Sequence, residues 1–189
     1  MDAAPIAKIG KPSRPVRDII RRFVRAGRGQ RREEMSEQKV KIEARRSQIH
    51  GLGVYVVDTI RKGETVVEIT GERISSRESD RRHQESEADD GHTFFFYVDE
   101  DTVIDCGVNG NVSRFINHSC EPNCETVDDD GRIFVEALRD IEIGEELFFD
   151  YRLSLEDDDD PEGSNAYECR CGARSCRGTM LERETMTAG

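Results

Sequence analysis

The run Cys169-x-Cys171-x4-Cys176 near the C-terminus narrows the fold further than any other feature of this chain. Three thiols fall within eight residues, interleaved with Arg170, Gly172 and Arg174, a stretch that folds by wrapping its thiolates around a soft cation, zinc above all. Zinc takes four ligands. The fourth can come from His118, Cys120, Cys124 or Cys106, all about 45 or more residues upstream, so the end of the chain must be drawn back onto its body. A site with four protein ligands is closed and structural, with no open position for water, so the metal is not assigned the chemistry.

The thiol reading rests on the expected compartment. No stretch approaches the roughly 18 consecutive apolar residues of a spanning helix, and the N-terminus lacks the apolar block of a secretory signal. The expectation is an intracellular protein, cytoplasmic or nuclear and chromatin-associated, not secreted and without a membrane span. In such a protein six Cys are metal ligands or buried thiols rather than disulfides. Ile and Val together number 28 against 6 Leu, a β-branched excess that favours short strands over a helical bundle. The expected fold class is mainly β with short helices.

Charge divides the chain more sharply than its net of -12 suggests. Residues 1–46 hold 14 Lys+Arg and 6 Asp+Glu, a local +8; the remainder holds 28 - 14 = 14 basic and 40 - 6 = 34 acidic residues, or -20. An acidic body repels phosphate backbones and attracts cationic partners, which argues against direct nucleic-acid binding by the domain and for a Lys/Arg-rich protein partner. Within the basic tail, Ile19, Ile20, Phe23 and Val24 form an apolar stripe among Arg17, Arg21, Arg22 and Arg25, predicting a short basic amphipathic helix over 18–25. Met35 stands just before the first alternating strand and is an alternative start.

From residue 40 onwards the pattern predicts strands over 40–44, 54–57, 65–70, 94–98, 102–106, 132–137 and 146–149, separated by Gly- and Asp-bearing turns. Ser75 or Ser76 caps a helix over 77–88, and a second short helix fits 111–116. The Glu156–Asp160 run reads as an exposed acidic loop. The organisation expected is a basic tail at 1–39, a domain at 40–155 with a variable insertion at 75–92, an acidic loop at 156–166, a cysteine segment at 167–183 and a short tail at 184–189. A monomer is expected.

Arg114-Phe115-Ile116-Asn117-His118-Ser119-Cys120-Glu121-Pro122-Asn123-Cys124 concentrates polar side chains of nearly every kind. His beside Ser and Cys suggests a nucleophile, but neighbours in a chain seldom face one another, and no orienting third group accompanies them. The alternative is a polar small-molecule site at the edge of a strand.

With three further motifs in order, this segment resembles the SET-domain protein lysine methyltransferases with their post-SET zinc segment. The others are Ile49-His50-Gly51-Leu52-Gly53-Val54-Tyr55, Gly144-Glu145-Glu146-Leu147-Phe148-Phe149-Asp150-Tyr151 and the cysteine run; the likeness covers about residues 40–181. It implies a fold of small curved sheets with a C-terminal pseudoknot and a zinc-bound post-SET segment. It also implies transfer of methyl groups from S-adenosylmethionine to the side-chain amine of lysine in a basic protein, histone-like among others. Cofactor-binding residues by resemblance are His50, Gly51, Leu52, Gly53, Arg114, Phe115, Asn117, His118 and Tyr151. Tyr151 matches the catalytic tyrosine; Phe94, Phe96, Phe149 and Tyr151 match the lysine channel. The zinc ligands implied are Cys124, Cys169, Cys171 and Cys176, leaving Cys106 and Cys120 as small buried residues. Ile69 and Phe94 stand where the family commonly carries Tyr. Phe149 occupies the position that tunes product state, and implies di- or trimethyl-lysine. The competing reading is a SET-like zinc module that recruits basic partners with little or no turnover.

Overall fold

The computed structural model describes residue 9, residues 14–15, 41–85, 95–153 and 167–182. Short β-branched runs, each too brief to form a sheet alone, pair into four small sheets. β2 (Ile42–Arg46) and β3 (Leu52–Val56) form an antiparallel pair, two residues later at the first strand than its alternation predicted. β4 (Thr65–Ile69) lines up against β10 (Arg132–Ala137), which also pairs with β9 (Cys124–Asp129). The β9–β10 turn carries Asp130 at φ 53° and Gly131 at φ 78°, the left-handed angles that suit a tight hairpin between twisted strands. Asp128 Oδ1 accepts the Gly131 N–H at 2.7 Å.

A third sheet orders β5 (Glu72–Ser75), β7 (Thr102–Asp105) and β6 (Phe95–Tyr97), with β6 at one edge. The expected helix is present as α1 (Ser76–Glu85), and of the two candidate caps Ser75 fills the role, its Oγ accepting the Glu78 N–H at 3.2 Å. The predicted second helix is a 3-10 turn, Val112–Phe115, capped by the Asn111 side chain on Ser113 N. β8 (Asn117–His118) and β11 (Phe148–Phe149) pair in parallel, Asn117 opposite Phe148 and His118 opposite Phe149. β1 (Arg14–Pro15) lies parallel to β9.

The sheets share one apolar core of Val54, Val56, Ile60, Ile69, Phe96, Ile116, Ile133, Val135, Ile141, Leu147 and Phe149, joined by Ile9 from the N-terminal run and Leu153 and Tyr167 from the C-terminal end. Ile69, where a tyrosine is commonly found, is fully buried there. Among the described residues no helix is long and apolar enough to cross a membrane. The amphipathic segment at 18–25, the acidic run at 156–160 and Phe94 lie outside the described residues.

Candidate functional site

Two segments 31 residues apart in sequence form the floor of the site because β8 and β11 run side by side. Ser119 N donates to Phe149 O at 3.2 Å, continuing the ladder past the two paired residues. Asn123 reinforces it from below: its Nδ2 donates to Glu146 O at 2.8 Å and its Oδ1 accepts the Phe148 N–H at 2.8 Å. All three Asn and His side chains that the sequence concentrates here, Asn117, His118 and Asn123, are buried, and buried polar groups need partners.

Asn117 finds them in the glycine turn. Its Nδ2 donates to Leu52 O at 3.0 Å and to Glu146 Oε1 at 2.9 Å, with His50 O at 3.4 Å. The amide thus pins the His50–Gly53 backbone against β8, bringing together His50, Gly51, Leu52, Gly53 and Asn117. Glu146 is a member of this network that sequence reasoning did not single out. Its Oε2 accepts from Tyr55 Oη at 2.8 Å and Ser47 Oγ at 3.1 Å. The need for glycine is steric: a Cβ on Gly53 would stand 2.0 Å from Glu146 Oε1. Gly51 has φ 49°, in the left-handed region.

Tyr151 sits just beyond β11. Its Oη donates to Ile116 O at 2.8 Å and its backbone N–H to His118 Nδ1 at 3.1 Å. Burial, with the Glu146 charge as a lesser contribution, raises the phenol pKa well above its usual value, so the hydroxyl stays protonated. The ring lies edge-on to His118 at 5.4 Å between centroids and tilted on Phe149 at 5.1 Å; Phe149 in turn meets Phe96 at 5.8 Å. Phe96, Phe149 and Tyr151 therefore form one aromatic wall. Arg114 stacks over Phe115, 4.6 Å to the ring centroid, at the far end of the same segment.

Desolvation lowers the His118 pKa to about 4, the nearby Asp150 only partly opposing it. A neutral imidazole that accepts at Nδ1 carries its proton on Nε2, and Nε2 faces Cys120 Sγ at 3.4 Å. Asp150 is clamped by Arg177 through two contacts of 2.7 Å, so the segment after the cysteine run is tied directly to the residue before Tyr151.

The cysteine cluster departs from the ligand set implied by resemblance. Cys120, Cys169, Cys171 and Cys176 place their sulfurs within 4.8 Å of one another; Cys120 and Cys169 are 3.7 Å apart. A tetrahedral site with Zn–S of about 2.3 Å has sulfurs about 3.8 Å apart, so these four fit zinc. Cys124 is not among them. It opens β9 opposite Ala137, and the alternation of the strand turns it inward, 0% exposed, where burial pushes its thiol up to about 12. Cys120 lies in the bend after β8, where the Arg177 N–H reaches its Sγ at 3.4 Å. Cys106, as expected, is a buried core residue. At Cys171 burial opposes the thiolate, but the N–H groups of Cys120 and Ala173 outweigh it and hold the pKa near 6. Ser119, Asn123 and Glu146 line a concavity of about 300 Å³ together with Cys171, Gly172 and Ala173.

The chain matches the SET domain family model over residues 51–152. It belongs to the SET-domain family. It is 37% identical over 85% of its length to the histone-lysine N-methyltransferase trr of Drosophila melanogaster, covering 6% of that protein. It is 38% identical over 78% of its length to the H3 lysine-4-specific histone-lysine N-methyltransferase of Saccharomyces cerevisiae, covering 14% of it. The chain thus spans a small fraction of the relatives it matches. A solved structure of ctPRC2 in an autoinhibited conformation bound to S-adenosylmethionine aligns with 58% of the chain and 15% of that one, at TM-score 0.53 and 34% identity.

Proposed function

We propose that this protein is an S-adenosylmethionine-dependent protein-lysine N-methyltransferase acting on a Lys/Arg-rich, histone-like substrate in the nucleus or on chromatin. The arrangement that carries this reading is Tyr151, its protonated hydroxyl fixed on Ile116 O, between the Asn117-pinned glycine turn and the Phe96–Phe149 wall. The relatives' names and the cofactor bound to the aligned structure support the same chemistry.

When bound, the cofactor supplies an electrophilic methyl on a sulfonium sulfur. The reaction is an in-line displacement: the amine lone pair forms the new N–C bond, the S–C electrons return to sulfur, and the surplus amine proton leaves to solvent. The chain must align the reactants and hold the lysine uncharged. The His50–Gly53 turn offers unhindered backbone to the cofactor, and Arg114, Phe115 and His118 form the opposite wall. An aromatic channel of Phe96, Phe149 and Tyr151 disfavours the ammonium form of an entering lysine. Tyr151 Oη, unable to ionise, orients the amine and the methyl as a neutral dipole. The parallel β8–β11 pairing supports the threaded crossing of the two segments.

Zinc held by Cys120, Cys169, Cys171 and Cys176 would fasten the cysteine segment beside the site. The buried Phe149 presents no hydroxyl to hold a water against the amine, which favours products up to di- or trimethyl-lysine; product halted at monomethyl under excess cofactor would refute that part. The decisive test is calorimetry of S-adenosylmethionine with zinc-loaded protein, followed by methyl transfer to core histones. Saturable binding with transfer that disappears in Tyr151→Phe is the expected result. Binding with undiminished transfer in the variant would remove Tyr151 from the mechanism, and binding without any transfer would favour a recruiting module.

A further inference from the structure

The outer edge of β6 is taken by the chain itself. Ile9 N donates to Phe95 O at 3.1 Å and Tyr97 N to Ile9 O at 3.2 Å, so Ile9 bridges Phe96 as a parallel neighbour. Residues paired across a sheet project to the same face. Ile9 therefore shares a face with Phe96, is only 3% exposed, and joins the core that holds Phe149 and packs against Tyr151. Farther along the same N-terminal run, Arg14–Pro15 adds to the edge of β9, where the N–H that proline lacks is least missed. Ile9 and Arg14–Pro15 thus occupy the open edges of two sheets.

An extended acceptor that delivers a lysine to the Phe96–Phe149–Tyr151 wall needs backbone partners beside that wall, and an open strand edge supplies them. The occupant, Ile9, sits in the sequence Ala7-Lys8-Ile9-Gly10-Lys11, within a tail carrying +8 over residues 1–46, whereas the rest of the chain carries -20. We infer that the N-terminal segment around Ile9 is a tethered competitor, holding the β6 edge that an acceptor strand must take and weakening acceptor binding until it is displaced. The inference rests on the channel reading above.

A ligand tethered in the same chain is presented at an effective concentration on the order of 1 mM. A free strand with an intrinsic Kd of about 0.1 mM is then weakened about tenfold by the tethered copy. The probe is a fluorescent peptide of residues 1–16, titrated by anisotropy against the full chain and its Ile9→Pro variant, in which no N–H remains to bond Phe95 O. The variant should bind the peptide about tenfold more tightly. In parallel, amide exchange on the wild-type chain with excess peptide should release the Ile9 N–H while Tyr97 N–H stays protected by the incoming strand. Equal affinity of both chains, no binding by either, or an Ile9 amide still protected at peptide saturation overturns the inference. If Ile9→Pro fails to fold, the exchange experiment decides alone. Calorimetry with S-adenosylmethionine on the same wild-type protein tests the methyltransferase reading separately, since peptide displacement requires no cofactor.

Discussion

Replacing Cys120 and Cys124 one at a time by alanine separates two ligand sets that the sequence left side by side. Structural zinc contributes roughly 10–16 kcal/mol in small peptides, so one thiolate in four is worth about 3–4 kcal/mol, or roughly 10²- to 10³-fold in zinc affinity. Cys120→Ala should therefore lose zinc to a chelator concentration that leaves the wild type loaded. It also removes the acceptor of the Arg177 N–H and the partner of His118 Nε2, so its cofactor affinity should fall as well. Cys124→Ala leaves the cluster intact and deletes one sulfur from the core, at a cost of about 1 kcal/mol and a melting-temperature loss of about 2–4 °C. Metal content after chelator challenge, read with a melting curve, scores both variants. Zinc lost from Cys124→Ala and retained in Cys120→Ala would show that the bend after β8 is wrongly placed and would restore the ligand set implied by the family resemblance.

Tyr151→Phe should lower methyl transfer at least about 100-fold while S-adenosylmethionine affinity by calorimetry changes by less than about threefold; an equal loss in both would make Tyr151 a packing residue. Gly53→Ala drives a methyl group into Glu146 Oε1, and should reduce stability by about 1–3 kcal/mol and weaken cofactor binding as Asn117 and Tyr55 lose their shared acceptor. Unchanged binding would detach Glu146 from the site. The hydrogen bond from Lys41, though partly opposed by burial, holds the Glu64 carboxyl below its ordinary pKa. A depressed folded pKa gives stability that is present above the unfolded value of 4.5 and fades as pH falls through and below it. The wild-type melting temperature should therefore drop more than that of Glu64→Gln between pH 6 and pH 4, by an amount consistent with a half-buried, solvent-screened pair worth under about 1 kcal/mol.

Much of this fold was legible because its information is local. The turns at Gly63, Gly131 and Gly144 and the strands over 65–69 and 132–137 follow from β-branched runs ended by residues that tolerate positive φ. Ser75 as a cap is equally local. What escaped was set by distant pairing. β8 is two residues long, has no pattern of its own and is paired only because β11 lies beside it. Glu146 was one residue of a predicted strand and of the motif ending at Tyr151, and its role appears only when Ser47, Tyr55 and Asn117 converge on it. Cys120 and Cys124 are four residues apart, and the choice between them depends on where the bend ends and β9 begins.

That same bend explains why a closed metal site belongs beside the proposed methyl-transfer centre. Cys120 Sγ receives the Arg177 N–H, Arg177 clamps Asp150, and Asp150 precedes the tyrosine whose backbone N–H fixes His118 Nδ1. His118 Nε2 then returns to Cys120, closing a ring of contacts through the cysteine cluster, the Arg177–Asp150 ion pair and the Tyr151 segment. Because each link is buried or half-buried, loosening one leaves an unpaired polar group at the next. Zinc loss should consequently be felt first as misplacement of Tyr151 and His118, before the distant β4–β9–β10 sheet responds. Exchange of the Tyr151 amide should accelerate on chelation while that of Val135 does not, and simultaneous loss of both would mean that the metal supports the whole domain rather than its reactive end.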